Sequence, residues 1–72
     1  MLIMNTIGNR IKAVCDTYCD SQVDFAERLS QQPTAVNHWI MGRKTPSCIN
    51  LGQILIAFPK VNARWLITGK GK

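Results

Sequence analysis

The chain has 72 residues, of which 46% are hydrophobic and 18% charged, and a net charge of +5 at neutral pH. These values are typical of one small globular domain and exclude a disordered chain. Apolar runs stay short of the roughly 18 residues that a membrane-spanning helix needs, and the N-terminal MLIM is too short for a signal peptide. We therefore expect a cytoplasmic protein.

The first two helices are predicted from helical periodicity and capping residues. The first lies in NTIGNRIKAVCDTYC, residues 5–19, with Asn5 or Thr6 as its N-cap. Ser21 is placed to cap a second helix over residues 22–29, with Asp24 completing a capping box.

Three further helices follow. Pro33 suits the first position of a third helix that ends at Gly42. Ser47 is placed to cap a fourth helix over residues 48–58, and Asn62 a fifth over residues 63–68. With no strand pattern, the sequence predicts an all-α fold of five short helices in a single domain over residues 1–72. The expected core comprises Ile11, Phe25, Ala26, Leu29, Val36, Trp39, Leu51, Leu55, Phe58 and Trp65.

Charge is distributed unevenly along the chain. All four acidic residues fall within residues 16–27, whereas seven basic residues and no acid occur from Arg28 onward. A positive potential over that part attracts a polyanion; the alternative is ordinary solubilising charge. The seven are Arg28, Arg43, Lys44, Lys60, Arg64, Lys70 and Lys72.

Metal and catalytic chemistry find little support. The three cysteines, an odd number, argue against a disulfide framework. Cys15, Cys19, Cys48 and His38 lack the spacing of a zinc site, so buried or half-buried free thiols and no metal or other cofactor are expected. With one histidine, no nucleophile–base arrangement and no phosphate loop, the sequence predicts no enzymatic activity.

The third helix has an unusual outer face. At 100° per residue, Ala35, Val36 and Trp39 form one stripe, which we expect to be buried. The opposite face carries no charged side chain, although solvated helix faces usually carry Lys and Glu. Thr, Asn and His side chains can hydrogen-bond to base edges, and the basic residues that follow can bind phosphate. The face suits a DNA major groove; a polar surface without function is the alternative. It comprises Pro33, Thr34, Asn37, His38 and Met41.

Several stretches together resemble the lambda-repressor-like, Cro/C1-type (XRE) helix-turn-helix family: SQVDFAERLS, TAVNHWIMGRKTPS and LGQILIAFP. The matching features are Gln at the start of the second helix, Phe-Ala within it, the apolar-x-x-Trp of the third helix and the Gly-x-x-x-Pro-Ser after it. The tail FPKVNARWLITGKGK is similar to an ending common in repressor-type regulators of bacteria and their phages. The resemblance covers about residues 6–71.

The resemblance implies a lambda-repressor-like DNA-binding domain with its helix-turn-helix at helices two and three. Pro46, Leu51 and Trp65 would be structural. The implied base-contacting residues are Gln32, Thr34, Asn37 and His38. The implied backbone contacts are Gln22, Pro33, Arg43 and Lys44, with Gln22 also bracing the third helix.

The chain departs from the family at the turn and at Pro33. Ser30 and Gln31 stand where the family usually has Gly and an apolar residue. Gln or Ser is frequent at the position of Pro33, which cannot hydrogen-bond a base. The sequence leaves open whether the chain is a complete small regulator or the N-terminal part of a longer one.

Two functions are compatible with these residues. The first is sequence-specific double-stranded DNA binding in transcriptional regulation, with repression favoured over activation, by a homodimer on an inverted repeat. The second is a protein-interaction module, either an antitoxin of a toxin–antitoxin pair or a helical adaptor. In that case Ile40, Met41 and Ile67 would form an apolar docking patch.

Overall fold

A computed structural model describes residues 6–71, which contain five α-helices and no strand. The N-cap alternative Asn5 lies outside the described residues, as does the basic residue Lys72. The helices are α1 (Ile7–Tyr18), α2 (Gln22–Arg28), α3 (Pro33–Met41), α4 (Cys48–Ala57) and α5 (Ala63–Thr68). The predicted all-α class is confirmed, and α1 lies within the predicted stretch 5–19. The predicted ends of the second and fourth helices are each one residue too late.

Side-chain caps fix where the helices begin. The Thr6 hydroxyl accepts a hydrogen bond from the Asn9 amide at 3.1 Å, and the Ser21 hydroxyl accepts one from the Asp24 amide at 3.1 Å. Asn62 caps α5 in the same way. These bonds satisfy amides that have no partner within the helix, which is why short helices begin at such residues.

The reciprocal capping box occurs at α4 and not at α2. In α4, Ser47 accepts from the Asn50 amide while the Asn50 side chain accepts from the Ser47 amide at 3.0 Å. In α2, the Asp24 carboxylate instead accepts a hydrogen bond from Arg28. The prediction that Asp24 completes a box was therefore wrong, because a cation one helical turn away binds the carboxylate.

A tight turn over residues 29–32 joins α2 to α3 and produces the predicted helix-turn-helix arrangement. The amides of Ser30 and Gln31 donate to the carbonyls of Glu27 and Ala26, the pattern of a Schellman motif. Ser30 adopts a left-handed conformation with φ of 57°, where glycine is usual. The helix α3 packs on both α2 and α1, and α5 packs on α1.

The buried core agrees with most of the predicted residues. Those confirmed as buried are Ile11, Phe25, Ala26, Leu29, Val36, Trp39 and Phe58. Leu51, Leu55 and Trp65 are only partly buried against this core, and the fully buried residues of α4 and α5 are instead Ile54 and Leu66. Val14 and Cys15 of α1 also belong to the core.

Two residues of α1 hold the neighbouring helices close. At Gly8, a Cβ atom would overlap the Trp39 carbonyl oxygen and lie 2.9 Å from that of Ile40, so only glycine permits this approach of α1 to α3. Arg10 is buried, and its Nε donates to the Leu66 carbonyl at 2.8 Å. A guanidinium at the carbonyl end of α5 satisfies groups that the helix leaves unpaired.

Within residues 6–71, every helix is too short or too polar to span a lipid bilayer.

Candidate nucleic-acid interface

The two faces of α3 have different environments. Val36 and Trp39 are buried and Ala35 partly buried, so one face anchors the helix to the core. On the other face, Pro33, Thr34, Asn37 and Met41 are exposed, and His38 is half-buried at its edge. The exposed face therefore offers neutral hydrogen-bonding groups on a helix whose other side fixes its orientation.

The start of α3 leaves the Gln32 side chain available. Gln32 occupies the N-cap position but makes no capping hydrogen bond, and it is exposed. Pro33 follows at the start of the helix, where its missing N–H removes the need for one cap bond. The Gln32 amide is therefore not committed to its own helix and can meet an external partner.

The end of α3 fixes the backbone of the two basic residues. Gly42 takes a left-handed conformation with φ of 80°, and the amides of Arg43 and Lys44 then both donate to the His38 carbonyl, at 2.9 and 3.3 Å. Both side chains are exposed. The structure thus brings two cations to the end of the uncharged face, one turn from His38.

Gln22 is distant in sequence from the α3 residues, but it lies on α2, the helix that precedes α3. It is the first residue of α2 and is half-buried. The helices α2 and α3 pack against each other, and within residues 6–71 the Gln22 side chain makes no hydrogen bond to α3. The first turn of α2 also presents backbone N–H groups, which favour an anion.

Local ion pairs neutralise part of the acidic charge. Lys12 binds Asp16 at 2.8 Å and Arg28 binds Asp24 at 3.3 Å, both one turn apart on a helix. The hydrogen bond that Lys12 donates to Asp16 raises the pKa of Lys12, and the one that Arg28 donates to Asp24 raises the pKa of Arg28. Among the described residues, no Asp or Glu side chain forms an ion pair with the other exposed basic side chains, which are those of Arg43, Lys44, Lys60, Arg64 and Lys70.

A chain of amides, not predicted from the sequence, links the turn before α3 to the start of α4. Gln31 donates to the Gln53 side-chain oxygen at 3.1 Å, and Asn50 donates to the same oxygen at 3.4 Å. Asn50 in turn accepts from Ser47. These hydrogen bonds tie the turn between α2 and α3 to α4. Nothing in the sequence signals a pairing between residues so far apart.

The thiols do not form a binding site. Cys15 is buried and donates to the Ser21 carbonyl at 3.6 Å, Cys19 is half-buried, and burial raises the pKa of both. Cys48 is exposed, which corrects the expectation that all three thiols are at least half-buried. Within residues 6–71, no group of three or more His, Cys, Asp and Glu side chains is arranged to hold a metal ion.

Comparisons of the chain with protein-family models, with curated proteins and with solved structures give no match.

Proposed function

We propose that this protein is a cytoplasmic, sequence-specific double-stranded DNA-binding regulator, acting as a repressor by occluding a promoter. The observation that carries the proposal is the exposed, uncharged face of α3, followed directly by two exposed cations. In a major groove, α3 would present its side chains to base edges while Arg43 and Lys44 bind phosphate oxygens. The sequence resemblance to the Cro/C1-type helix-turn-helix family supports the same assignment.

Each side chain has a role in this mechanism that its chemistry permits. Thr34, Asn37, His38 and Gln32 supply hydrogen-bond donors and acceptors, and the Thr34 methyl group can contact a thymine methyl. Gln22, at the first turn of α2, and Pro33 would lie against the DNA backbone. The other exposed Lys and Arg side chains that have no acidic partner among the described residues add a sequence-independent attraction to the phosphates.

One copy of α3 contacts too few base pairs for high specificity. We therefore propose a homodimer on an inverted repeat whose half-sites lie about one helical turn apart. Two symmetry-related α3 helices would then enter successive major grooves on one side of the duplex. Neither a cofactor nor a catalytic step is needed for this activity.

Selection from a random duplex DNA pool, at near-physiological salt and with competitor DNA, tests the proposal. We expect enrichment of one short motif, arranged as an inverted repeat. Retention of DNA without any enriched motif would overturn sequence-specific binding and leave only charge attraction by the basic residues. Failure to retain DNA would overturn the proposal altogether and favour the protein-interaction module.

A further inference from the structure

A cleft of about 250 Å³ lies between the second half of α1 and the segment that leads into α5. Its lining includes Val14, which is buried, and Val61 and Trp65, which are half-buried against the core. Tyr18 completes the lining and is 38% exposed, so the cleft is open to solvent. Apolar and aromatic walls with a few polar groups are the usual character of a small-molecule site.

Ring stacking and hydrogen bonds fix the walls of this cleft. The Tyr18 ring stacks on the buried Phe58, with 5.5 Å between the ring centroids. The Asn62 side chain accepts a hydrogen bond from the Trp65 amide at 3.1 Å and donates one to the Gly71 carbonyl at 2.7 Å. The cleft is therefore formed by the fold itself and does not depend on a ligand to create it.

Three polar side chains of the cleft have donors that no other described residue uses, and they are those of Tyr18, Lys60 and Trp65. The other two polar side chains of the lining, Thr17 and Asn62, already donate to backbone carbonyls. An indole N–H and an ammonium group can only donate, and a phenol hydroxyl can donate as well as accept. The cleft therefore suits a ligand that accepts hydrogen bonds.

The positive charge at the cleft has no opposing carboxylate. None of the described residues that line the cleft is Asp or Glu. Of the two acids that flank Tyr18 in sequence, Asp16 is bound by Lys12 at 2.8 Å, and Asp20 does not line the cleft. The net charge of +5 adds to the attraction of an anion. A cationic ligand is therefore disfavoured and an anionic one favoured.

The apolar walls limit which anion fits. An inorganic anion or a sugar phosphate is polar on all sides and would leave the valine and aromatic walls uncovered, whereas a flat aromatic ring packs well against indole and phenol rings. Sites for drug-sized ligands are about 300–1,000 Å³, so a cleft of about 250 Å³ suits a smaller molecule. We propose that the cleft binds an aromatic monocarboxylate of one or two rings, with its ring against Tyr18 and Trp65 and its carboxylate at Lys60.

The cleft is separate from the face of α3 that is proposed to contact DNA. The close approach of α1 to α3 is at Gly8, near the start of α1, whereas the cleft uses residues 13–18 at the other end of that helix. Ligand binding therefore leaves the exposed face of α3 free. It does not rest on the proposed function and is tested without DNA.

Titration of the isotope-labelled chain with cinnamate, followed by NMR, tests the site. We expect saturable shifts of the Trp65 indole N–H resonance and of the Val61 amide resonance, with half-saturation below the millimolar range. The indole resonance of Trp39, which is 5% exposed, is the internal reference and should stay unchanged. Cinnamamide has the same ring without the charge and should bind at least threefold more weakly.

Three variants test the contacts. K60Q removes the charge but keeps a polar side chain, and it should abolish the preference for cinnamate over cinnamamide. A13L enlarges an exposed side chain of the lining with a good helix former, and it should weaken binding of both probes at least tenfold by filling the cleft. K44Q is the charge-matched control, since Lys44 is exposed beside α3 and does not line this cleft, and it should leave both affinities unchanged.

Four results would overturn the proposal. The first is the absence of a saturable shift at Trp65 in the millimolar range, and the second is equal affinity of the unaltered chain for the two probes. The third is a loss of preference in K44Q as large as that in K60Q, because net charge alone would then attract the carboxylate. The fourth is unchanged binding by A13L, which would place the probe outside the cleft.

Discussion

Two glycines inside helices have opposite surroundings. Gly8 faces the carbonyl oxygens of Trp39 and Ile40, whereas Gly52 faces open space. We predict that Gly8→Ala lowers the free energy of unfolding by about 1–3 kcal/mol, because the added methyl group forces α1 away from α3. Gly52→Ala should instead raise it by about 0.5–1 kcal/mol through helix propensity alone.

Urea denaturation of both variants, at concentrations low enough for the chain to be monomeric, checks this contrast. The two substitutions add the same atoms to the same residue type, so each is the control for the other. Equal effects in the two helices would show that propensity, and not the contact between α1 and α3, determines the cost at Gly8.

Ser30 carries a backbone cost that glycine would not. Its φ of 57° lies in the left-handed region, which is unfavourable for residues with a Cβ by about 1–2 kcal/mol. We predict that Ser30→Gly raises the free energy of unfolding by about 1 kcal/mol, measured by urea denaturation. Ser30→Ala is the control and should bring no gain, because alanine keeps the Cβ. A gain for alanine equal to that for glycine would exclude the backbone explanation.

At the scale of the helices, the sequence predicted the starts better than the packing. Thr6, Ser21, Ser47 and Asn62 each cap the helix that follows, because capping is a local interaction between neighbouring residues. The rotation of α4 was less predictable, since apolar residues surround most of that helix and its pattern selects no single buried face. Ile54 is buried there, and Leu51 and Leu55 are only partly so.

Contacts between distant segments account for the other differences. The Arg10 guanidinium caps α5, and Gly8 allows the close approach to α3, yet neither role leaves a local pattern. The candidate site was more accessible to prediction, because Pro33 and Gly42 set the limits of α3 and the helical period then separates its two faces. Contact between this face and DNA bases stays a prediction.

The buried face of α3 gives one testable consequence. Trp39 is 5% exposed and lies in the main cluster of a small core. We predict that Trp39→Ala lowers the free energy of unfolding by about 3–5 kcal/mol, because it leaves a large cavity, and that most of the chain is then unfolded by circular dichroism. A folded Trp39→Ala variant with an altered base preference would instead place this side chain at the DNA.

The exposed face gives the complementary consequence. We predict that Asn37→Ala and His38→Ala each weaken binding to the selected DNA site by about 1–3 kcal/mol and relax the preference for particular bases. Binding titrations against the site and its single-base variants measure both effects. Thr17→Ala is the control, since Thr17 is exposed on α1 and its hydroxyl bonds to the Ala13 carbonyl. Unchanged binding by both α3 variants would show that this face does not contact the bases.

At the scale of the molecule, net charge follows from composition, whereas the pairing of charges depends on the fold. Lys12 and Arg28 are each beside a carboxylate, while Arg43 and Lys44 extend from the end of α3 without one. Net charge alone would make every Lys and Arg side chain equivalent in attracting DNA. The arrangement instead predicts that the basic side chains next to α3 bind phosphates and that the ion-paired basic side chain on α1 does not.

The salt dependence of DNA binding distinguishes these cases. Each phosphate contact releases counterions. Losing one contact therefore reduces the magnitude of the slope of log affinity against log salt concentration by about one. We predict this loss for Arg43→Ala and for Lys44→Ala, with similar weakening on all duplexes because phosphates carry no sequence information. Lys12→Ala removes the same unit charge but should leave the slope unchanged, since Lys12 binds Asp16 at 2.8 Å. An equal fall in slope for Lys12→Ala would mean that DNA responds to net charge and not to the cations beside α3.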